Sequence, residues 1–278
     1  MYHRLVDRIT ALNDVPREPL VPRRLGKNMC VPFGKILRGK VVPNTVTKTL
    51  HTDKVYEPDL NSFTIEPFPY YSPLKSQIET IKSFDRPVIL VDDLVHTANR
   101  LQVLVPQLRE DGIPIKKVVV GVLSGYGRDL MQCLKVPVES IYSMPNLRQW
   151  FVESTLYPFI GGDTVRREEM KVAGLQPSIN MILPYATPRL SGCSREALVE
   201  FSACCIENSR DLFQVLEAEY RKMYAKNLTL SRLSEAVILP LCPDKGSCME
   251  YDENLAASVY LENDLETLWR MKEFLIKG

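Results

Sequence analysis

The sequence predicts an α/β protein in which a parallel sheet is flanked by helices and followed by a mainly helical C-terminal extension. Val88-Ile-Leu-Val91 is apolar without alternation, the pattern of a strand covered on both faces, and such strands belong to parallel sheets lying between helices. Helix-like and strand-like segments then alternate: Leu101, Leu104, Val105 and Leu108 at helical spacing, Lys116 to Leu123 as a second buried strand, 128–134 as a helix and Val138 to Tyr142 as a further strand. Alternation of this kind argues for parallel strands joined by right-handed crossovers. Beyond about residue 190 helical spacing takes over.

Taken in chain order, residues 1–26 are polar and punctuated by proline, and Leu5, Ile9 and Leu12 predict one short amphipathic helix in an N-terminal arm. An α/β core is expected over 27–165 and a mainly helical region over 166–278. Within the core, a strand is expected around Ser62 to Glu66. It is followed by the proline- and tyrosine-rich loop from Pro67 to Lys75 and a helix carrying Ile78, Ile81 and Phe84. Gly112 supplies the stop of the helix that begins near residue 100. Trp150 and Phe151 have the bulk of core anchors. Ser194 to Asn227 reads as one long helix or as two broken near Asn208-Ser209, and Asn263-x-x-Glu266 is a capping-box start for the last helix.

Composition narrows the functional classes. Thirty-five Lys plus Arg stand against 34 Asp plus Glu, so no overall field attracts nucleic acid or an anionic membrane, and a small charged ligand is the expected partner. No apolar run approaches the roughly 20 residues of a membrane span, and Met1-Tyr-His-Arg lacks the apolar core of a secretory signal, which predicts a cytoplasmic protein. Seven cysteines, at 30, 133, 193, 204, 205, 242 and 248, include no Cys-x-x-Cys pair, and there are three histidines; reduced, structural thiols are expected rather than a zinc site.

The chemistry-bearing stretch is Asp92-Asp93-Leu-Val-His96-Thr97-Ala98-Asn99-Arg100. Two carboxylates close the apolar strand, and a polar turn leads directly into a helix whose first N–H groups, with those of the turn, form a natural anion seat. Ligands of parallel sheets lie beyond the carboxyl ends of the strands. A strand-ending acid pair also serves simply to cap a helix. A phosphorelay receiver domain shares the acidic pair, but it requires an Asp after a later strand, whereas Lys117 to Leu123 runs into Ser124-Gly125-Tyr126-Gly127.

Four apolar residues, two acids, two apolar residues, a polar residue and Thr, leading into a helix, resemble the phosphoribosyl-pyrophosphate (PRPP) loop of the type I phosphoribosyltransferases. The resemblance implies a phosphoribosyltransferase-like fold and a ligand that is PRPP or a nucleoside monophosphate. It also implies Asp92 and Asp93 at the ribose hydroxyls and as ligands of Mg²⁺, and His96 near the reacting centre. Thr97, Ala98, Asn99 and Arg100 would wrap the 5′-phosphate. Lys35-Ile-Leu-Arg38-Gly39-Lys40, before the acidic strand, matches the place of the family's pyrophosphate loop, so Arg38 and Lys40 are expected to meet pyrophosphate. Tyr70, Tyr71, Ser72 and Lys75 match the place of a closing lid, Trp150 or Phe151 that of a base-stacking ring, and a homodimer would suit the family.

Two positions depart from the family pattern. Ala98 stands where Gly usually follows the Thr, and a negative φ would let it fit there. Arg100 replaces a second Ser or Thr, either to bind phosphate through its fork or to fill the pocket. An active transferase and a non-catalytic nucleotide-binding or regulatory module are therefore both open. Gly34 to Lys54 also looks like a C-terminal region of bacterial cytidylyltransferase-related proteins, which implies an accessory role in such a system; no His-x-Gly-His motif occurs here.

Overall fold

The computed structural model describes residues 1–20, 22, 24–37, 39–69, 71–166, 176–188, 192–233, 238–240 and 251–277. Arg38, Tyr70, Cys242 and Cys248 lie outside them. Two compact units divide the chain, one built from Met1–Asp53 and Ile65–Arg148, the other from Lys54–Thr64 and Gln149–Gly278.

The first unit is built on a five-stranded sheet of order β2-β1-β5-β6-β7, from β1 (Met29–Pro32), β2 (Val46–Thr47), β5 (Val88–Val95), β6 (Ile115–Ser124) and β7 (Val138–Met144). Every pair in it is parallel. Lack of alternation in β5 has the expected cause. Ile89 and Val91 pack with Cys30, Val119 and the α1 (Tyr2–Leu12) residues Leu5 and Ile9. On the opposite face Val88 and Leu90 pack with Ile78 and Ile81 of α2 (Leu74–Lys82), Leu101, Leu104 and Leu108 of α3 (Asn99–Glu110), and Met131 of α4 (Gly125–Cys133). Each such side chain removed from water contributes roughly 1.5–3 kcal/mol. Gly112, at φ +75°, ends α3 as its position predicts.

Leu5 and Ile9 of the N-terminal helix are fully buried in the core of the first unit. The second of the two units resumes at Gln149. One expectation is corrected: Trp150 and Phe151 are both close to half exposed rather than core anchors.

In the second unit, strands β8 (Asp163–Val165), β9 (Gln176–Ile179) and β10 (Ile238–Pro240) join β3 (Thr52–Tyr56) and β4 (Phe63–Pro67) in the order β10-β9-β8-β3-β4. Helices α5 (Arg195–Tyr224), α6 (Leu230–Leu233) and α7 (Ala257–Lys277) make up most of the rest. Phe159, Val199, Ile206, Phe213, Leu261 and Leu268 share its core. α5 is unbroken at Asn208-Ser209, and Ser194 caps it by accepting from the Ala197 amide at 3.1 Å. α7 starts at Ala257, six residues before the expected capping box, so Asn263 and Glu266 are interior; the Asn263 carbonyl accepts from Thr267 Oγ1 and Glu266 pairs with Arg270. No helix among the described residues is long and apolar enough to cross a membrane.

The start of α4 packs closely against the end of β5. A Cβ on Gly127 would lie 2.2 Å from the Val95 carbonyl oxygen, and backbone cannot yield there as a side-chain tip would. Gly127→Ala should therefore cost about 1–3 kcal/mol, the usual penalty of overpacking, as a lowered urea midpoint. A midpoint equal to wild type would show that α4 lifts from Val95 without cost.

Candidate functional site

Chain direction makes the crevice. From β1 the chain moves outward to β2, whereas β5 starts on the other side of β1 and the chain proceeds to β6 and β7. Loops leaving the carboxyl ends of β1 and β5 therefore diverge, and the gap they leave is the general ligand position of open parallel sheets. Phe33 and Gly34 follow β1 and His96 to Ala98 follow β5.

The acids do not end the strand, as the sequence suggests. β5 runs through them to Val95, with Asp92 opposite Val120, Leu94 opposite Val122 and Val95 opposite Leu123. Leu94 and Val95 keep the pairing going because both are apolar and β6 extends alongside them. In consequence Asp92 is 5% exposed, while Asp93 is exposed. Asp92 Oδ1 accepts from the Asp93 amide at 2.9 Å and from Arg100 Nη1 at 3.2 Å, and Oδ2 stands 3.5 Å from the same nitrogen. Burial drives the Asp92 carboxyl up to about 7; Arg100 pulls against that and the neighbouring Asp93 charge adds to it. The Arg100 guanidinium also lies 5.2 Å from the ring centre of Phe33, so its charge sits between a carboxylate and an aromatic face. The guanidinium thus occupies the space between Asp92 and Phe33.

The turn adopts its own geometry. Ala98 lies at φ 51°, ψ 22°, left-handed rather than at the negative φ its side chain prefers, and the chain goes straight from it into α3. Among the described residues the amides of Thr97, Ala98, Asn99 and Arg100 have no backbone acceptor; the Gln102 amide is the first to find one, on the Ala98 carbonyl at 2.8 Å. Gln102 Nε2 donates to the Thr97 carbonyl at 2.7 Å and holds the turn from behind.

His96 belongs to a second group. Its Nδ1 is 2.8 Å from Ser124 Oγ, and that oxygen also accepts from the Gly127 amide at 2.9 Å, capping α4. The exposed ring of Tyr126 stands 5.7 Å from the imidazole. Phe33, Ser124 and Tyr126 are site residues that sequence reasoning missed. Ser124 carried a usable signal, a small hydroxyl residue between a buried strand and a short helix, the position of an N-cap. Phe33 carried none.

Lys40 is exposed, its amide donates to the Leu37 carbonyl at 2.8 Å, and its side chain has no partner among the described residues; Arg38 lies outside them. Tyr71 and Ser72 of the expected lid make contacts of their own. Tyr71 stacks on His51 with centroids 3.8 Å apart, and Gln77 reaches from α2 to donate to the carbonyls of Ser72 and His51 while accepting from the His51 amide. Burial lowers the His51 pKa, with Lys48 and Lys35 adding to the effect.

Mg²⁺ is the cofactor implied by the family resemblance, and its proposed donors are Asp92 and Asp93. It wants near-octahedral oxygen and usually takes one or two carboxylates together with substrate phosphates. Asp92 already holds a cation, Arg100, and Asp93 Oδ1 accepts from the Leu94 amide at 2.7 Å. Among the described residues no three His, Cys, Asp or Glu side chains gather into a metal cluster. With Arg100 in place the pair does not suit a divalent ion.

No family model and no curated protein matches the sequence. Part of the structure is similar to solved ones. Adenine phosphoribosyltransferase from Thermoanaerobacter pseudethanolicus is similar at 10% identity and a TM-score of 0.32, over 51% of this chain and 80% of its own. The Thermus thermophilus protein TT1426 is similar at 15% identity and a TM-score of 0.32, over 55% and 89%. Hypoxanthine phosphoribosyltransferase from Trypanosoma cruzi, complexed with the product IMP, is similar at 16% identity and a TM-score of 0.30, over 52% and 72%. The fold assignment rests on the sheet's own strand order, and the resemblance to cytidylyltransferase-related proteins gains no support.

Two outcomes follow from this geometry. Left-handed backbone costs an L-residue on the order of 1–2 kcal/mol, which roughly offsets the extra unfolded-state entropy of glycine. Ala98→Gly should accordingly unfold within about 1 kcal/mol of wild type, whereas the β-branched Ala98→Val should lose about 2 kcal/mol or more in the same urea titration. Secondly, the folded Asp92 carboxyl holds its proton up to about 7, whereas the unfolded one releases it near 3.8. Between those values the unfolded chain binds fewer protons, so this group's contribution is full at the acid end and is lost as pH rises through about 7. Asp92→Asn should lack that decline, so its stability relative to wild type should improve as pH rises; a difference independent of pH would contradict the assignment.

Proposed function

We propose that the first unit binds a phosphorylated ribose, as a nucleoside monophosphate or PRPP, at the carboxyl ends of β1 and β5, and that it does so without turnover. The phosphate would rest on the Thr97 to Arg100 amides and the Thr97 hydroxyl, at the start of α3, where the helix dipole favours an anion. Asp93, the exposed acid, would meet the ribose hydroxyls. The one observation that carries the non-catalytic reading is the Arg100–Asp92 pair. An acid meant to stabilise charge developing at the anomeric carbon must face the substrate, and this one is buried against an internal cation.

A transferase reading draws support from His96. With Nδ1 held by Ser124, the imidazole is oriented and Nε2 is left for proton transfer, the arrangement expected of a positioned acid or base.

Calorimetric titration of ribose 5-phosphate, PRPP and a panel of nucleoside monophosphates separates the readings. Binding that weakens at least about fivefold in Asp93→Asn and in Thr97→Ala, with no pyrophosphate formed or consumed, is the expected result. Pyrophosphate release with any base would establish the transferase, and heat-silent titrations throughout would remove the ribose-phosphate site.

A further inference from the structure

Arg100 spends little of its donor capacity on Asp92. The guanidinium carries five N–H donors in a planar fork, and the contacts to Asp92 Oδ1 and Oδ2 both come from Nη1. Nε and Nη2 have no hydrogen-bond partner among the described residues, and about a third of the side chain is open to solvent. The same residue belongs to the first turn of α3, where the amides of Thr97 to Arg100 also lack backbone acceptors. A neutralised carboxylate, unused cationic donors and open amides thus come together within nine residues of chain.

From this we infer that Arg100 is a built-in replacement for a divalent cation, so that the first unit takes its phosphorylated ligand without metal. The inference rests on the ribose-phosphate reading for its ligand but not for its cation chemistry. A divalent ion at a phosphorylated-ribose site does two things: it cancels carboxylate charge that would repel the ligand, and it offers a positive centre to phosphate oxygen. Arg100 does the first through Nη1 and does the second with Nε and Nη2. It also keeps the ion out, because a second cation brought to Asp92 would meet the guanidinium at contact distance of the same two oxygens, inside a site where burial leaves little water to screen them. Phe33 supports the arrangement by giving the flat cation a ring to rest on, which a hydrated metal would not use.

The test has two parts, both on the full chain. In the first, ribose 5-phosphate is titrated calorimetrically in EDTA and in excess Mg²⁺. Unchanged affinity is expected, and tightening by the roughly fivefold or more that a coupled ion produces would overturn the inference. In the second, Mn²⁺ alone is titrated and followed by its paramagnetic resonance. Wild type should show no Mn²⁺ site that Asp93→Asn removes, whereas Arg100→Ser should gain one that Arg100→Ser combined with Asp93→Asn loses again. A wild-type site abolished by Asp93→Asn, or a folded Arg100→Ser that gains none, would overturn it. Should Arg100→Ser fail to fold, the two wild-type measurements decide. If ribose 5-phosphate binds in neither buffer, the ribose-phosphate reading fails and the Mn²⁺ titration still judges Arg100.

Discussion

A carboxylate buried in the middle of a doubly covered sheet is the constraint on which the rest of the first unit turns. Asp92 sits on a strand whose preceding residues, Ile89, Leu90 and Val91, are fully enclosed. A bare charge there would cost several kcal/mol, and two things lessen the cost: a proton, held up to about 7, and Arg100. The second answer has structural consequences. Arg100 must lie within reach of Asp92, so α3 has to begin immediately after the turn. That leaves room for only His96, Thr97 and Ala98 between strand and helix, and the reversal is completed by a left-handed residue that is not glycine. Backbone strain at Ala98 and the ion pair at Asp92 are two ends of one short connection.

The same shortness explains why the turn is well held although it is a loop. Three groups converge on it from different elements: Gln102 on the Thr97 carbonyl, Ser124 on the His96 ring, and the close approach of Gly127 to Val95. Ser124 is 1% exposed and bonded on both sides, so the orientation of His96 is set by the cap of α4 and not by solvent. A ligand arriving at such a turn finds donors in fixed positions and little ordering entropy left to lose, the condition under which a few hydrogen bonds give useful affinity.

What was legible in the sequence was whatever a single strand or helix decides for itself. β5 and β6 announced themselves because burial on both faces removes alternation, and Gly112 because a left-handed stop favours glycine. The extent of β5 was not legible, since acids inside a strand look the same in sequence as acids after one; only the partner strand, with Val122 and Leu123 available to pair, decides it. β1 and β2 are four and two residues long, too short for any periodicity; β1 forms on the edge that β5 offers and β2 on the edge that β1 offers. The capping-box pattern at Asn263 failed for the opposite reason. Helix propensity on its amino-terminal side continues to Ala257, where the Ser258 amide and hydroxyl both reach Glu217 on α5, and packing between the two helices overrides the local stop.

The acid pair shows how far a motif carries and where it stops. Its residues specify a strand, a turn and a helix, and those are present. Its chemistry depends on which of the two acids reaches the ligand, and that depends on a residue outside the pair. With a small hydroxyl residue at position 100 the Asp92 carboxylate would lose the cation beside it, and a soluble one would be needed to balance its charge. With arginine there, one carboxylate becomes part of the scaffold, the balancing charge becomes covalently attached, and Asp93, the amides and the remaining guanidinium donors are what the proposed reading leaves for a ligand. On the proposed reading, a single side chain on the first turn of α3 separates a site suited to drawing charge out of a ribose from one suited to holding it.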